Sequence, residues 1–341
     1  MIFASSIRDD ERELFERELD AFVPPAVFDA HAHLYDRSHF GPDSFAKPYI
    51  DTMPTRMDLA RYRHHLGQML PGRRIDGLFI PSALDGDPTT VNAFIADQVR
   101  PEPRCRGAMI VRPDMDPDHV RAEARRLGVA GFKCYHILAR RPDAPAEQPA
   151  PTWDVEIPDY LPEPVVRVAD ELGLTITLHM VKRRALADPA NQQAIRHYCQ
   201  TYPNMRMILA HAARGFNPHH TIEGIGALAG LNNVWCDCSA VTDCGACEAI
   251  IETLGHDRLL YGTDFHVSHF RGRCMAIGDT FFWIYEDTVD WSTAMHTELQ
   301  PMLVGLESLR CLKLAARHTK LNDTQVEDVF YNNAARLFGL E

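Results

Sequence analysis

The sequence predicts an α/β fold: a closed, distorted (β/α)8 barrel of the TIM type with long loops after strands 1, 4 and 8. Three observations carry this. Eight short apolar runs recur along the 341 residues, each separated from the next by a helical pattern, and strands apolar on both faces and spaced by helices belong to parallel sheets. No glycine-rich turn follows the first run, as an open doubly wound sheet would want. Histidines and acids fall at the ends of several runs, the rim where such barrels carry their chemistry.

Residues 1–25 form a helical extension, with Leu14, Phe15, Leu19 and Phe22 as its apolar stripe. Its acids (Asp9, Asp10, Glu11, Glu13, Glu16, Glu18) occupy the place where a signal peptide needs an apolar core. Strands are expected at 27–33, 77–81, 106–111, 129–135, 175–179, 205–211, 234–239 and 259–264. Helices are expected at 57–70, 90–98, 117–127, 165–172, 189–201, around 224–228, at 247–254 and at 303–316. Asp116-Pro117 and Asp188-Pro189 read as cap and first-turn pairs. A last helix is capped by Asn322 with Gln325 at the capping-box position, and Gly339 ends it.

Three stretches interrupt this alternation. Residues 34–55 are irregular. Residues 136–164 carry seven prolines, a density that no helix or central strand survives, so they form a long loop able to act as a lid. After strand 8 comes an excursion with a helical patch; its aromatics (Phe281, Phe282, Trp283, Tyr285, Trp291) fit either a homo-oligomer interface or a core-packed insertion. The whole chain, 1–341, is read as one domain.

Composition narrows the function. With 45% hydrophobic residues the chain buries a large core. A net charge of -12 lacks the electrostatic footprint of a nucleic-acid binder. No apolar run reaches the roughly 18 residues needed to span a membrane. Nine cysteines, an odd count without an export signal, predict reduced thiols and a cytoplasmic protein. Cys236, Cys238, Cys244 and Cys247 read CxC then CxxC, taken as core residues rather than a zinc knuckle. The pairs His64-His65 and His219-His220 are expected on solvated surface.

Side chains at i and i+2 of a strand leave on one face, so His31 and His33 aim at one point. His179, His211 and Asp264 end the predicted strands five, six and eight, at the same rim. The motifs Asp29-Ala30-His31-Ala32-His33, Leu178-His179, Leu209-Ala210-His211, Tyr261-Gly262-Thr263-Asp264 and Asn332-Asn333-Ala334-Ala335-Arg336-Leu337-Phe338 resemble the amidohydrolase superfamily. Within it they resemble the branch of aminocarboxymuconate-semialdehyde decarboxylase and related lactone hydrolases. The resemblance implies a single divalent metal held by His31, His33, His179 and Asp264, with His211 beside it. Three imidazoles and a carboxylate suit Zn²⁺, with Mn²⁺ or Fe²⁺ as alternatives. Such an ion lowers the pKa of water towards about 7, and Asp264 can take its proton and pass it to a leaving group.

Lys133 ends strand four. Other branches carboxylate a lysine here to bridge two metals; in this branch an ammonium near the substrate is expected, with Tyr135 on the same face. Arg112 and Arg214, with Arg37, Lys182 and Arg183, lie near the rim and suggest a carboxylated, anionic small-molecule substrate. The expected reaction is hydrolysis of a lactone, ester or amide bond. The alternatives are decarboxylation of an unsaturated or aromatic acid, and a non-catalytic binding protein on the same fold.

Overall fold

The strands are β1 (Ala26–Asp36), β2 (Arg56–Met57), β3 (Arg74–Pro81), β4 (Arg106–Ile110), β5 (Gly131–Cys134), β6 (Thr175–Leu178), β7 (Arg206–Leu209), β8 (Val234–Asp237) and β9 (Leu259–Leu260). This is a computed structural model, and it describes residues 1–42, 44, 46–139, 152–293 and 300–340. The strands pair in the order β2-β1-β3-β4-β5-β6-β7-β8-β9. All neighbours from β1 through β9 are parallel, whereas β2 is antiparallel to β1.

The chain just past β9 closes the ring onto β1. The Ala30 amide donates to the Tyr261 carbonyl (2.9 Å), the Asp264 amide to His31 (2.8 Å) and the His33 amide to Phe265 (2.9 Å). The eight expected strands are therefore all present. β9 is shorter than expected: the Tyr261 amide goes to the Val329 carbonyl at 2.9 Å, and Asp264 adopts a left-handed φ of 51°. β1 extends one residue earlier and three residues later than expected and gains β2 as a partner, so Met57 belongs to a strand and the helix after it starts at Leu59.

The floor of the barrel is apolar. Phe28, Ala30, Leu78, Ile80, Ala108, Ile208 and Leu260 form one cluster with Leu337, and Phe338 stacks on Phe28 at 5.4 Å. The final helix thus plugs the end opposite the strand C-termini. Ala32 and Leu34 belong instead to the outer core between barrel and helices. The pairing register of β1 shifts between Asp29 and Ala32. This bulge lets Phe28 and Ala30 face inward below while His31 and His33 face inward above, which strict alternation forbids.

Local signals set the helix starts. Asp87, Asp116 and Asp188 each cap a helix whose first residue is proline, pairing a carboxylate acceptor with a residue that has no amide to satisfy. Asn322 and Gln325 exchange reciprocal 3.0 Å hydrogen bonds, and Gly339 closes the helix at φ 60°. That last helix carries a π-helical segment, Asp328–Asn332, between its two α-helical parts.

Three expectations need correction. The helix around 224–228 begins earlier, at Pro218 under an Asn217 cap, and 225–228 is its 3-10 tail. In the proline-rich stretch, 140–151 lie outside the described residues, and the rest does hold helix: Ile157–Tyr160 is one turn and Glu163–Leu172 a full helix. Pro158 and Pro164 sit in their first turns, where a missing N–H costs nothing. The excursion after β9 is built around a hairpin of β10 (Gly272–Ile277) and β11 (Thr280–Tyr285), and its helical content among the described residues is two 3-10 turns, Val267–His269 and Trp291–Thr293. Among the described residues no helix is long and apolar enough to cross a membrane.

Candidate metal centre

His31 and His33 project from β1 into a chamber of about 220 Å³ at the C-terminal rim. His33 Nδ1 donates to the Pro81 carbonyl at 3.2 Å, and His31 Nδ1 lies 3.0 Å from Asp237 Oδ2. A carbonyl and a carboxylate can only accept, so both rings carry their proton on Nδ1 and turn the Nε2 lone pair into the chamber. Asp264 Oδ1 stands 3.4 Å from His33 Nε2 and 3.8 Å from His31 Nε2. The left-handed turn at Asp264 aims its carboxylate back across the barrel.

Gly262 permits this approach: a Cβ there would come within 3.1 Å of Ser239 Cβ and 3.3 Å of His31 Cβ. Burial opposes ionisation of Asp264, yet the imidazoles of His211, His33 and His31 hold its carboxyl well below the usual range.

Asp237, at the end of β8, organises the neighbouring wall. It faces His31, accepts the His211 amide at 3.0 Å and the Ser239 amide at 3.1 Å, and is fully buried. Burial pushes its carboxyl up, but His31, His211 and the Ser239 hydroxyl outweigh that and leave it at about 2. His211 Nδ1 is bound to the Ser239 carbonyl at 3.0 Å, and its ring stacks on His31 at 4.9 Å. Residues 211–214 all have left-handed φ, between 50° and 60°. That turn costs roughly 1–2 kcal/mol per residue and is held by the Asp237 contact, by Gly215 N–H to His211 C=O (2.6 Å) and by the Thr221 hydroxyl on the Ala212 carbonyl (2.8 Å).

Asp29 braces the other side. It accepts from the His31 amide (3.0 Å), the Thr263 amide (2.9 Å) and the Tyr62 hydroxyl (2.7 Å), and burial pushes its carboxyl up to about 7. Reasoning from sequence missed Asp29 and Asp237 as site residues. Each is an acid inside an otherwise apolar strand, and that is the signal that marks them.

Lys133, from β5, is almost fully buried, with Nζ 3.0 Å from His31 Nε2. Burial pulls it down to about 8, although Asp264 and Asp237 oppose this. His179 lines the same chamber. Its ring packs 4.6 Å from Tyr135 and 5.2 Å from His211, and its buried Nδ1 has no hydrogen-bond partner among the described residues. His179 lies outside the tightest donor groups, which are His31–His33–Asp264 and His31–His211–Asp237, each within 4.8 Å.

Arg112 and Arg214 do not line the chamber. The Arg112 guanidinium is tied to the Gly86 carbonyl, and that of Arg214 to the Lys182 carbonyl and over the Phe281 ring at 5.4 Å. The walls are instead aromatic. Trp283 and Tyr285 of β11 stack nearly parallel at 5.7 Å, Phe216 packs on Trp283 at 5.4 Å, and Tyr49 stacks on His266 at 5.4 Å. The aromatic excursion therefore roofs the chamber with one face, while Phe282 on the other face is exposed.

The histidine pairs expected on the surface are split. His64 and His219 are exposed, but His65 is buried and His220 is buried against Asp279 at 2.9 Å. Consecutive residues on a helix point about 100° apart, so a pair rarely shares one environment.

Two inward-facing Nε2 atoms and a carboxylate, with outer partners fixing the tautomers, fit a divalent cation of borderline softness. The barrel thus gathers a candidate metal-binding donor set at its C-terminal rim, where enzymes of the (β/α)8 class carry their chemistry. The chain belongs to the amidohydrolase family, whose sequence profile matches residues 28–340.

Solved structures share the fold. A candidate 2-pyrone-4,6-dicarboxylic acid hydrolase from Pseudomonas putida is 17% identical, with 94% of this chain and 99% of that one covered, at a TM-score of 0.56. A zinc-bound amidohydrolase from Burkholderia multivorans is 15% identical, with 92% and 99% covered, at 0.54. The 5-carboxyvanillate decarboxylase of Sphingomonas paucimobilis is 16% identical, with 93% and 99% covered, at 0.53. No curated protein matches the chain in sequence.

Proposed function

We propose that this protein is a mononuclear, zinc-dependent, cytoplasmic hydrolase that cleaves a lactone, ester or amide bond in a small anionic compound, working as one domain. The observation that carries the reading is the convergence of His31 Nε2, His33 Nε2 and Asp264 Oδ1 in a chamber of small-molecule size. His31, His33, His179 and Asp264 would hold the cation. When bound, the cation supplies Lewis acidity and lowers the pKa of water towards about 7.

The chain's own groups do the rest. The Asp264 carboxylate accepts the proton of the attacking water and returns it to the leaving oxygen or nitrogen. His211 donates its Nδ1–H to the Ser239 carbonyl, which leaves Nε2 as an acceptor for a proton of substrate or water in the chamber. Lys133 places a positive charge beside the site and, with Tyr135, meets the substrate carboxylate. The aromatic roof excludes water and presents flat faces to a planar substrate.

Those flat faces also favour a second reading, decarboxylation of an unsaturated or aromatic acid, on the same residues. A screen of lactones, amides and carboxylic acids with Zn²⁺ restored separates the two. Solvent ¹⁸O incorporated into product supports hydrolysis, and CO₂ release supports the lyase. Chelation is expected to abolish activity, and His31→Ala and Asp264→Ala to lose both metal and turnover. Full metal content and activity in those variants would overturn both readings.

A further inference from the structure

Outside the barrel chamber, the described residues hold one further close group of metal-type donors, and it uses a cysteine that the metal centre does not. Helix Cys244–Leu254 packs against helix Val304–His318. We propose that Cys244, Glu248 and His318 form a second, peripheral binding site for a thiophilic divalent cation, with Zn²⁺ as its occupant.

The sequence sets the geometry. Cys244 and Glu248 are four residues apart and share one face of their helix. His318 is the last residue of its own helix, which brings Nδ1 to 2.7 Å from Glu248 Oε1. One ligand atom from each of the three residues lies within 4.8 Å of the other two. A thiolate, an imidazole and a carboxylate are the three protein donor types of zinc, and three protein donors leave a fourth position for water.

A surface His–Glu ion pair alone needs no thiol beside it. Here a thiol stands within ligand distance of that pair, and its proton is what a cation would displace. On binding, the thiol proton leaves to solvent, the Nδ1 proton that His318 holds towards Glu248 is exchanged through solvent to Nε2, and sulfur–metal and nitrogen–metal bonds form.

Cys244 also lines a cavity of about 380 Å³, together with Arg273, Arg310 and Cys311, whereas Glu248 and His318 lie outside its walls. Glu307 lies 3.7 Å from Arg273 and 3.5 Å from Arg310, so these arginines are partly neutralised. The arrangement differs from the CxC–CxxC pattern of the sequence. Cys236, Cys238 and Cys247 do not converge with Cys244 on a common point among the described residues.

Co²⁺ distinguishes this site from the barrel, whose donors are nitrogen and oxygen. Full-length protein is stripped of metal and titrated with Co²⁺, alone and in competition with Zn²⁺. The expected result is a thiolate-to-cobalt charge-transfer band in the near ultraviolet that Zn²⁺ abolishes. Cys244→Ser should remove the band. His318→Ala, an exposed change that spares the fold, should weaken Co²⁺ binding at least about tenfold, since losing even an outer partner costs about 10–100-fold. Both variants should keep turnover in the barrel.

No band in the wild type would overturn the proposal. So would a band that survives Cys244→Ser, which would place the sulfur on Cys311 or another cysteine. A band lost in Cys244→Ser but untouched by His318→Ala would also overturn the site as drawn.

Discussion

At the scale of single residues, the candidate centre depends on groups that hold other groups still. Asp237 fixes the His31 tautomer and also accepts the amide that starts the strained turn at His211. Asp237→Asn can present an N–H where His31 needs an acceptor. It is expected to cost about 10–100-fold in metal affinity while the fold survives, as read by competition with a chelating dye and by circular dichroism. Lys133 allows a sharper test. If it acts as an ammonium towards substrate, Lys133→Met keeps stoichiometric metal and lowers kcat. If it is carboxylated and bridges two ions, the same change empties the site, and elemental analysis tells these outcomes apart.

At the scale of elements, the N-terminal helix, residues 9–19, anchors the β10–β11 hairpin that roofs the chamber. The fully buried Glu11 carboxylate takes Arg271 at 2.9 and 3.0 Å and the Leu303 amide at 3.1 Å, tying the first helix to the base of the hairpin. Breaking a buried pair from one side is costly because the remaining charge loses its partner. Glu11→Ala is therefore expected to lower stability by about 3 kcal/mol, measured by urea unfolding. Trp283 lies on the inward face of the hairpin and touches the chamber but none of the reacting groups. Trp283→Ala is expected to raise KM roughly tenfold with kcat little changed, the pattern of lost uniform binding. An equal fall in kcat and kcat/KM would instead give the roof a role in the transition state.

At the scale of the whole molecule, the barrel separates two kinds of interior. Below, Phe28 and its neighbours fill the floor with apolar side chains. Above, the same strands present histidine, lysine and aspartate to the chamber. The bulge in β1 is where one becomes the other. Phe28→Ala opens a cavity in the floor and is expected to cost about 3–5 kcal/mol of stability. The protein that remains folded should keep its turnover per bound metal, because Phe28 does not line the chamber. A loss of turnover matching the loss of stability would show that the floor also sets the rim geometry.

The sequence by itself determined the eight strands, their parallel alternation with helices, and the meeting at one rim of His31, His33, His179, His211 and Asp264. These follow from apolar runs, caps and spacing, which are properties of short stretches of chain. Only the tertiary structure decided what each polar group faces. Asp29 and Asp237 became braces because Thr263 lies across the closure of the barrel and His31 across its interior. The guanidinium groups of Arg112 and Arg214 went to carbonyls outside the chamber, and the aromatics of 281–285 became a roof. The physical reason is that a side chain's role is set by its partners. Here the decisive partners lie up to 234 positions away along the chain, a distance over which no local pattern carries information.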